Sequence, residues 1–342
     1  DAAIGAQGQP SGSADGTRRP AMSAESEPPR KCQRTEGMEV PAGLAALHHI
    51  EDWYQEHKAS FSPPVCNKLM HKGQLSIMFV GGPNTRKDFH LEQGSEFFYQ
   101  IRGDIELPTV QRGERKLVKI RQGEVFCLPS RIPHSPQRPQ PGSLGLVIER
   151  ERVAGEMDGL LFFTDFENCE KVHWERFFHC QDLGKDLPPV IQAYKQFEAS
   201  EGGQRCEEWP EPVEARPVRQ DLESEVPPPF SLADFLLAHE EALAQGQSLP
   251  LFGKGHPDGE FEVLVAGGPA TQAAQSWSVE TWLYQIRGAA EVKVEGGTLA
   301  LEEGCCCIVR PGVSFEVARP AGSAGLVVRQ DPQGNKPKPA GE

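Results

Sequence analysis

The chain has 342 residues, with 49 acidic against 35 basic side chains and a formal net charge of -14 at pH 7. This length allows two domains of ordinary size. The negative charge opposes binding to phosphate backbones or anionic membranes, so we expect neither nucleic acid nor a membrane as a partner. No apolar run reaches the roughly 18 residues that a membrane span needs. The nine cysteines form no C-x-x-C pair, which favours reduced thiols in a cytosolic protein.

The two ends of the chain differ in composition from the rest. Residues 1–43 are mostly small, polar or charged, with few large apolar side chains. Such a segment buries too little apolar surface to offset the entropy of ordering. We expect disordered tails over 1–43 and 334–342.

Short apolar runs broken by glycine and proline begin at Gln74. They include LSIMFVGGP, EFFYQIRGDIEL, KLVKIRQGEVFCLP and GSLGLVIERE, which are rich in β-branched and aromatic residues. This pattern predicts antiparallel strands of a sandwich or barrel.

A different pattern covers residues 164–201, where FENCEKVHWERFF and LPPVIQAYKQFEA show helical apolar spacing. We predict helices here, packed outside the barrel. Residues 202–229 are proline-rich and charged, which favours a linker. Beyond it, the S-x-x-D sequence at 231–234 predicts a helix that ends near Ala244.

An internal repeat relates the two halves of the chain. GGPNTRKDFHLEQGSEFFYQIRG at 81–103 recurs as GGPATQAAQSWSVETWLYQIRG at 267–288, and later pieces recur in the same order. A duplicated fold explains this better than chance. We therefore predict two homologous β-domains, at 44–201 and 230–333, on either side of the linker.

The first repeat carries a candidate metal site. HLEQGSE at 90–96 and PSRIPH at 129–134 resemble the two metal motifs of the cupin superfamily. His90 and Glu96 are an even number of residues apart and so can face the same side of a strand. With His134 they would form a facial triad of two imidazoles and one carboxylate, with positions left open for substrate and dioxygen.

Glu92 stands where many cupins carry a further histidine. We interpret it as a support for the ligands or a weak ligand and do not count it. A lone histidine in a sheet is more often a hydrogen-bonded structural residue than a ligand. The two motifs in the expected order and spacing favour the metal site.

The second repeat serves as an internal control. It places Gln275, Thr281 and either Phe315 or Glu316 at the positions of the three ligands. None of these sets can replace the triad, so we predict a metal-less second domain.

The runs FVGGPNTRKDFHLEQGSEFFYQIRGD, RQGEVFCLPSRIPHSPQR and GLVIERER resemble the 3-hydroxyanthranilate 3,4-dioxygenase family of the animal, single-chain type. The resemblance is close over 44–201 and looser in the second half. It implies an all-β fold with peripheral helices, made of two double-stranded β-helix (jelly-roll) cupin domains. From the duplication we also expect a monomer, because the second domain can cover the surface that a partner subunit would otherwise occupy.

The resemblance implies an activity as well. Members of the family use iron(II), here held by His90, Glu96 and His134, in an extradiol-type cleavage of 3-hydroxyanthranilate by dioxygen. The product, 2-amino-3-carboxymuconate semialdehyde, cyclises unaided to quinolinate, a precursor in NAD biosynthesis on the kynurenine pathway. Small molecules, substrate and dioxygen, are thus the expected partners.

Substrate-binding residues follow from the same resemblance. Arg86 and Arg138, four residues from His90 and His134 respectively, would bind the substrate carboxylate. Glu149 would contact the substrate amine or hydroxyl and accept a proton, although a surface charge at a strand edge is the competing interpretation. The loop after Arg138 is one residue longer than is usual in the family, which could move this region. The ring pocket would be lined by Val80, Phe98 and Pro136, with Asn67 within reach, and core packing is the competing interpretation for Val80.

Two other functions remain compatible with the motifs. A metal-dependent cupin could isomerise or decarboxylate another small carboxylate with the same triad. A non-catalytic bicupin is the second alternative, although intact ligands in the first domain count against it. Iron content and oxygen consumption separate the three functions.

Overall fold

The computed structural model describes residues 44–61, 66–200, 216–252 and 260–330. The predicted tails over 1–43 and 334–342 lie outside these ranges. The described chain is mostly β-strand, folded into two barrel-like β-sandwiches with helices at their edges. None of the helices in this part of the chain is long and apolar enough to cross a membrane.

The first sandwich, called the first cupin below, follows a strand and a helix. These are β1 (Leu44–His49) and α1 (Ile50–Glu56), with a short 3-10 turn (Lys58–Ser60) after them. The first cupin itself consists of β2 (Asn67–Lys72), β3 (Leu75–Gly81), β4 (Asp88–Leu91), β5 (Glu96–Arg102), β6 (Ile105–Gln111), β7 (Glu114–Ile120), β8 (Glu124–Leu128), β9 (Leu144–Arg150), β10 (Asp158–Phe163) and β11 (Val172–Phe178), followed by α2 (Leu183–Ala199).

The second sandwich, the second cupin, also follows a strand and helices. These are β12 (Phe230–Ser231), α3 (Leu232–Ala238) and α4 (Glu240–Ala244). The second cupin contains β13 (Ser248–Pro250), β14 (Phe261–Gly267), β15 (Ala270–Ser276), β16 (Thr281–Arg287), β17 (Ala290–Val294), β18 (Gly297–Leu301), β19 (Cys305–Val309), β20 (Ser314–Arg319) and β21 (Ala324–Gln330).

The two cupins share one sheet arrangement. The larger sheet of the first has the order β12-β8-β5-β9-β3-β2, and that of the second has the order β1-β19-β16-β21-β14-β13. Facing them are β11-β10-β4 with the pair β6-β7 in the first cupin, and β15-β20-β17-β18 in the second. Strands of matching sequence occupy matching places, so the repeat in the sequence is a repeat in the fold.

Alternation along β3 shows where the cores lie. Ile77 and Phe79 pack in a core that the two large sheets share, whereas Met78 and Val80 point into the first barrel. Successive side chains of a strand face opposite sides. Both faces of this sheet are therefore buried, which explains the continuous apolar runs, and each such side chain contributes roughly 1.5–3 kcal/mol.

The cupins exchange their first strands. β1 pairs with β19 of the second cupin, although it precedes the first in sequence. β12, which precedes the second cupin, pairs with β8 of the first. Leu44 and Leu47 accordingly pack in the core of the second cupin. The predicted boundaries at 44–201 and 230–333 stay predictions, and strand pairing crosses between them.

One predicted helix is wrong. In FENCEKVHWERFF, residues 172–178 form β11, antiparallel to β10. Trp174 is buried against the helix side of that sheet. Pairing with the exposed edge of β10 satisfies backbone groups that a helix here would leave without this partner, so tertiary context overrides the local spacing.

Other predicted elements agree with the structure. LPPVIQAYKQFEA lies within α2, and Ser231 caps α3 by accepting from the Asp234 amide at 3.1 Å. The helical region there ends at Ala244, after a break between α3 and α4. Of the predicted linker, residues 216–229 are described and run along the first cupin, where Val218 is buried.

Candidate active site

Three potential metal ligands meet inside the first cupin. His90 lies on β4, Glu96 begins β5, and His134 lies between β8 and β9. One ligand atom from each lies within 4.8 Å of the others. All three residues are at most 5% exposed, so a cation bound there would be shielded from solvent.

Backbone pairing sets the two imidazoles side by side. The His90 amide donates to the His134 carbonyl oxygen at 2.8 Å, and the His134 amide donates to that of His90 at 2.9 Å. Residues paired in this way project to the same face of the sheet. The two ring centroids are 5.5 Å apart.

The environment of His134 and Glu96 fits a bound cation. His134 Nδ1 lies 3.0 Å from the Ile132 carbonyl oxygen, which can only accept, so Nδ1 carries a proton. Nε2 then faces Glu96 Oε1 at 2.9 Å. No donor in the described ranges is aligned with Glu96 Oε1 as a hydrogen bond. Two acceptors at this distance need a proton or a metal ion between them, so the donor set fits a metal.

Each of these two groups favours the charged form of the other. Burial raises the pKa of Glu96, but His134 and His90 beside it outweigh burial and hold that pKa below its ordinary value. Burial lowers the pKa of His134, but Glu96 outweighs it and raises that pKa above its ordinary value.

The three candidate ligands open onto a cavity of about 480 Å³. This volume is within the range of small-molecule sites in proteins. The residues that the resemblance assigned to substrate binding all line it, and they are Asn67, Val80, Arg86, Phe98, Pro136, Arg138 and Glu149. The structure thus brings together residues from four strands and two loops, including Glu149 beyond the longer loop.

Two arginines in the cavity wall repel each other. Burial and the neighbouring Arg86 lower the pKa of Arg138 to about 10. Arg138 Nε has no hydrogen-bond partner within the described ranges. Arg86 forms an ion pair with Asp88. An anionic group bound to both guanidinium groups would offset their repulsion.

Glu149 lies beside the candidate metal ligands. It is directly opposite Glu96 in the pairing of β5 with β9. Burial raises the pKa of Glu149, and Glu96 adds to this, while Arg152 opposes both without cancelling them. A buried carboxylate with a raised pKa is a stronger base than an exposed one.

Two residues that support the site were not predicted from the sequence. Asp158, the first residue of β10, accepts a hydrogen bond from His90 Nε2 at 2.7 Å. Arg152, just after β9, forms ion pairs with Asp158, Glu149 and Glu92. Glu92, which was not counted as a ligand, is therefore paired with an arginine. A charged residue beginning the apolar run DGLLFF was a sequence signal for Asp158, but no spacing rule relates Arg152 to the ligands.

Helix α2 also contributes to the cavity, which its prediction as a helix outside the barrel did not include. Leu187, Ile191 and Tyr194 line the cavity. The Tyr194 ring stacks on Phe162 of β10 with centroids 3.4 Å apart. The helix therefore closes one side of the site.

Different residues occupy the ligand positions of the second cupin. Gln275 pairs with Phe315 as His90 pairs with His134, so the strand register selects Phe315 over Glu316. Thr281 pairs with Arg329 as Glu96 pairs with Glu149. Arg329 donates to Thr281 Oγ1 at 3.0 Å and stacks over the Trp277 ring. Among residues 260–330, no three candidate ligands lie together.

The chain is similar to several known proteins. Among solved structures, a cupin 2 conserved barrel domain protein from Leptotrichia buccalis matches 85% of this chain and 98% of that chain, with a TM-score of 0.44 and 9% sequence identity. A family model described as 3-hydroxyanthranilic acid dioxygenase matches residues 44–195. The 3-hydroxyanthranilate 3,4-dioxygenases of Rattus norvegicus and Homo sapiens are 43% and 40% identical over 293 residues, which cover 84% of this chain and 97% of each relative. The chain belongs to the 3-hydroxyanthranilate 3,4-dioxygenase family.

Proposed function

We propose that this chain opens the ring of 3-hydroxyanthranilate with dioxygen to give 2-amino-3-carboxymuconate semialdehyde. Its relatives from Rattus norvegicus and Homo sapiens are named for this activity. The observation that carries the proposal is one cavity lined by a candidate metal triad, two arginines and a buried glutamate. The names of the relatives do not favour an isomerase, a decarboxylase or a non-catalytic bicupin.

We propose iron(II) as the metal, held by His90, Glu96 and His134. Two imidazoles and one carboxylate with open positions are the donor set of non-haem iron(II) oxygenases. Bound there, iron(II) would hold the ring beside dioxygen and supply the electronic path between them.

Arg86 and Arg138 would bind the substrate carboxylate. A guanidinium group matches a carboxylate with two parallel hydrogen bonds, which fixes the orientation of the ring. Val80, Phe98 and Pro136 would pack against the ring, and Asn67 lies at the edge of the same cavity. Exclusion of water by these side chains strengthens the electrostatic contacts inside.

Glu149 would accept the proton of the substrate hydroxyl. Its raised pKa makes it a stronger base than an ordinary glutamate. An ionised ring oxygen is more electron-rich and therefore easier to oxidise. The paired cation Arg152 would keep the carboxylate oriented toward the cavity.

We also propose the wider setting of the reaction. The product cyclises to quinolinate, which fits a role in NAD biosynthesis through tryptophan breakdown in the cytosol. A monomer is proposed because the two large sheets of one chain cover each other. Light scattering at several protein concentrations tests this proposal. A monomer should have the mass of one chain at every concentration.

The test of the reaction begins with anaerobic iron(II) loading, followed by 3-hydroxyanthranilate and air. We expect a transient near-ultraviolet absorbance with one dioxygen consumed for each substrate lost. The metal-free protein is the control and should consume none. Tight metal binding without turnover would contradict the proposed substrate.

A further inference from the structure

Arg152 is the common partner of the buried carboxylates around the site. Its Nε and Nη2 donate to the two oxygens of Asp158 at 3.1 and 2.9 Å. Nη1 donates to Glu149 at 2.6 Å, and Nη2 lies 2.7 Å from Glu92 Oε2. One side chain that is 12% exposed thus holds three carboxylates.

Two of these carboxylates, Asp158 and Glu149, contact different parts of the site. Asp158 accepts from His90 Nε2 at 2.7 Å and so fixes the orientation of that imidazole. Glu149 lines the cavity directly. A displacement of Arg152 would therefore reach both the metal ligand and the substrate cavity.

The shape of the guanidinium group is essential to this arrangement. Its planar set of donors contacts Asp158 at two points while Nη1 reaches a second carboxylate. A lysine at this position would supply the same charge from a single atom. It could not hold both carboxylates in these directions.

We propose that Arg152 is a positioning residue that orients Glu149 toward the substrate and, through Asp158, His90 toward the metal. The proposal rests on the proposed function for its substrate half. A purely structural role would require only that Arg152 neutralise buried negative charge. Lysine would satisfy that requirement, so Arg152→Lys separates the two roles.

The experiment measures iron(II) affinity and kinetics on the full 342-residue chain. Iron(II) alone is titrated anaerobically against a chromophoric chelator, and kcat and KM are then measured with 3-hydroxyanthranilate. For Arg152→Lys we expect iron(II) affinity to fall by about 10–100-fold, with kcat reduced more than KM is raised. Wild-type affinity and kcat in this variant would overturn the proposal.

Arg150→Lys is the matched control. Arg150 is two residues away, similarly buried, and paired with Glu156 and Glu260 at 2.6 and 2.5 Å, outside the cavity. We expect wild-type iron(II) affinity and kcat per folded molecule. An equal loss in both arginine variants would mean a general loss of structure and overturn the proposal.

Two further variants keep the test decisive if Arg152→Lys does not fold. Asp158→Asn should lower iron(II) affinity by about 10–100-fold, and Glu149→Gln should lower kcat while iron(II) affinity stays unchanged. Unchanged affinity in Asp158→Asn would overturn the link to His90. Because iron(II) binding needs no substrate, a wild-type protein that binds iron without turnover would contradict the proposed function and leave this link open to measurement.

Discussion

Arg86 and Arg138 face the same cavity, but the second cupin keeps only one of them. Arg138 pairs with Asn84 across the barrel as Arg319 pairs with Ala270, so Arg319 is the counterpart of Arg138. Gln272 replaces Arg86. The second cupin keeps this arginine although its described residues 260–330 hold no group of three candidate metal ligands, so we infer that Arg138 has a structural role besides its place in the cavity. Arg86 has no such counterpart.

Substitution of either arginine should weaken substrate binding. Arg86→Met should raise KM for 3-hydroxyanthranilate by at least about 10-fold, because a charged hydrogen bond contributes roughly 1.5–3 kcal/mol. It should also lower the melting temperature, because it leaves the buried Asp88 carboxylate without this cation. Arg138→Met should raise KM and also lower the melting temperature. Steady-state kinetics and thermal unfolding check both, and Arg319→Met should lower only the melting temperature.

His134 gives the most direct test of the metal site. His134→Ala removes a ligand and should abolish iron(II) binding and turnover. Gln275→Ala, at the position of His90 in the second cupin, should change neither. Metal analysis after anaerobic loading measures the first effect, and retained iron and turnover in His134→Ala would show that the assigned ligands are wrong.

Residues of the site differed in how far the sequence predicted them. His90, Glu96 and His134 belong to motifs of fixed spacing, and the repeat showed what the same strands look like without them. Asp158 contacts His90, and Arg152 contacts Asp158, only after β9 and β10 return to the barrel. Such pairings depend on the packing of loops, for which the sequence has no periodic signal.

Among the elements, β11 and α2 have the same helical pattern in sequence, but the first is a strand and the second a helix. Both segments have apolar residues at helical spacing. The first pairs with β10, and the second packs its apolar side on the sheet that the two strands form. The availability of a strand edge decided the structure of β11, and this is a property of the fold and not of the local sequence.

The N-terminal cap of α2 should influence both stability and the cavity. Asp182 accepts from the Gly184 amide at 3.0 Å, which satisfies a donor at the helix start. Asp182→Ala should lower the free energy of unfolding by about 1 kcal/mol and raise KM, because α2 lines the cavity. Asp182→Asn, which keeps an acceptor, is the control and should lose much less in urea unfolding.

The contribution of Asp182 should also depend on pH. The hydrogen bond and charge of Lys185, with the Gly184 amide, hold the pKa of Asp182 below its ordinary value. A lowered pKa means that this stabilisation is present above the unfolded pKa and is lost as pH falls through the folded pKa. The difference between wild type and Asp182→Ala should therefore shrink in acid, and a constant difference down to low pH would contradict the assignment.

At the scale of the molecule, the strand exchange makes the stability of each cupin depend on a strand that precedes the other cupin in sequence. A chain that begins at Ile50 lacks β1 and loses the burial of Leu44 and Leu47 in the second cupin. The two leucines alone contribute roughly 3–6 kcal/mol, so the urea midpoint should fall. A chain that begins at Leu44 keeps β1 and is the control. Equal midpoints for the two chains would contradict this role of β1.

The repeat explains why the two β-domains were easier to predict than the exchange of strands between them. GGP, YQIRG and GLV recur because they build the same turns and strands twice. Gly103 and Gly288, which end the two YQIRG copies, have φ of +67° and +68°, a conformation that favours glycine. The exchange of β1 and β12 left no comparable mark, because strand partners so distant in sequence have no local signal.

Corresponding contacts across the two large sheets have become unequal. On one side, the Ser95 amide donates to Glu260, which also binds Arg150. At the corresponding place on the other side, the Glu280 amide donates to Gln74, which binds Gln330. A dimer of identical chains must use every contact twice, and any substitution alters both copies. Fusion into one chain removes this constraint, and one side now holds an ion pair where the other holds two amides.

This asymmetry makes each half selective for the other. If two first halves met through these sheets, Arg150 would face Gln74 of the other chain and lose one of its two carboxylates. A buried cation deprived of a partner is unfavourable. Exchange of halves between chains would therefore be disfavoured at the same surface that holds the molecule together.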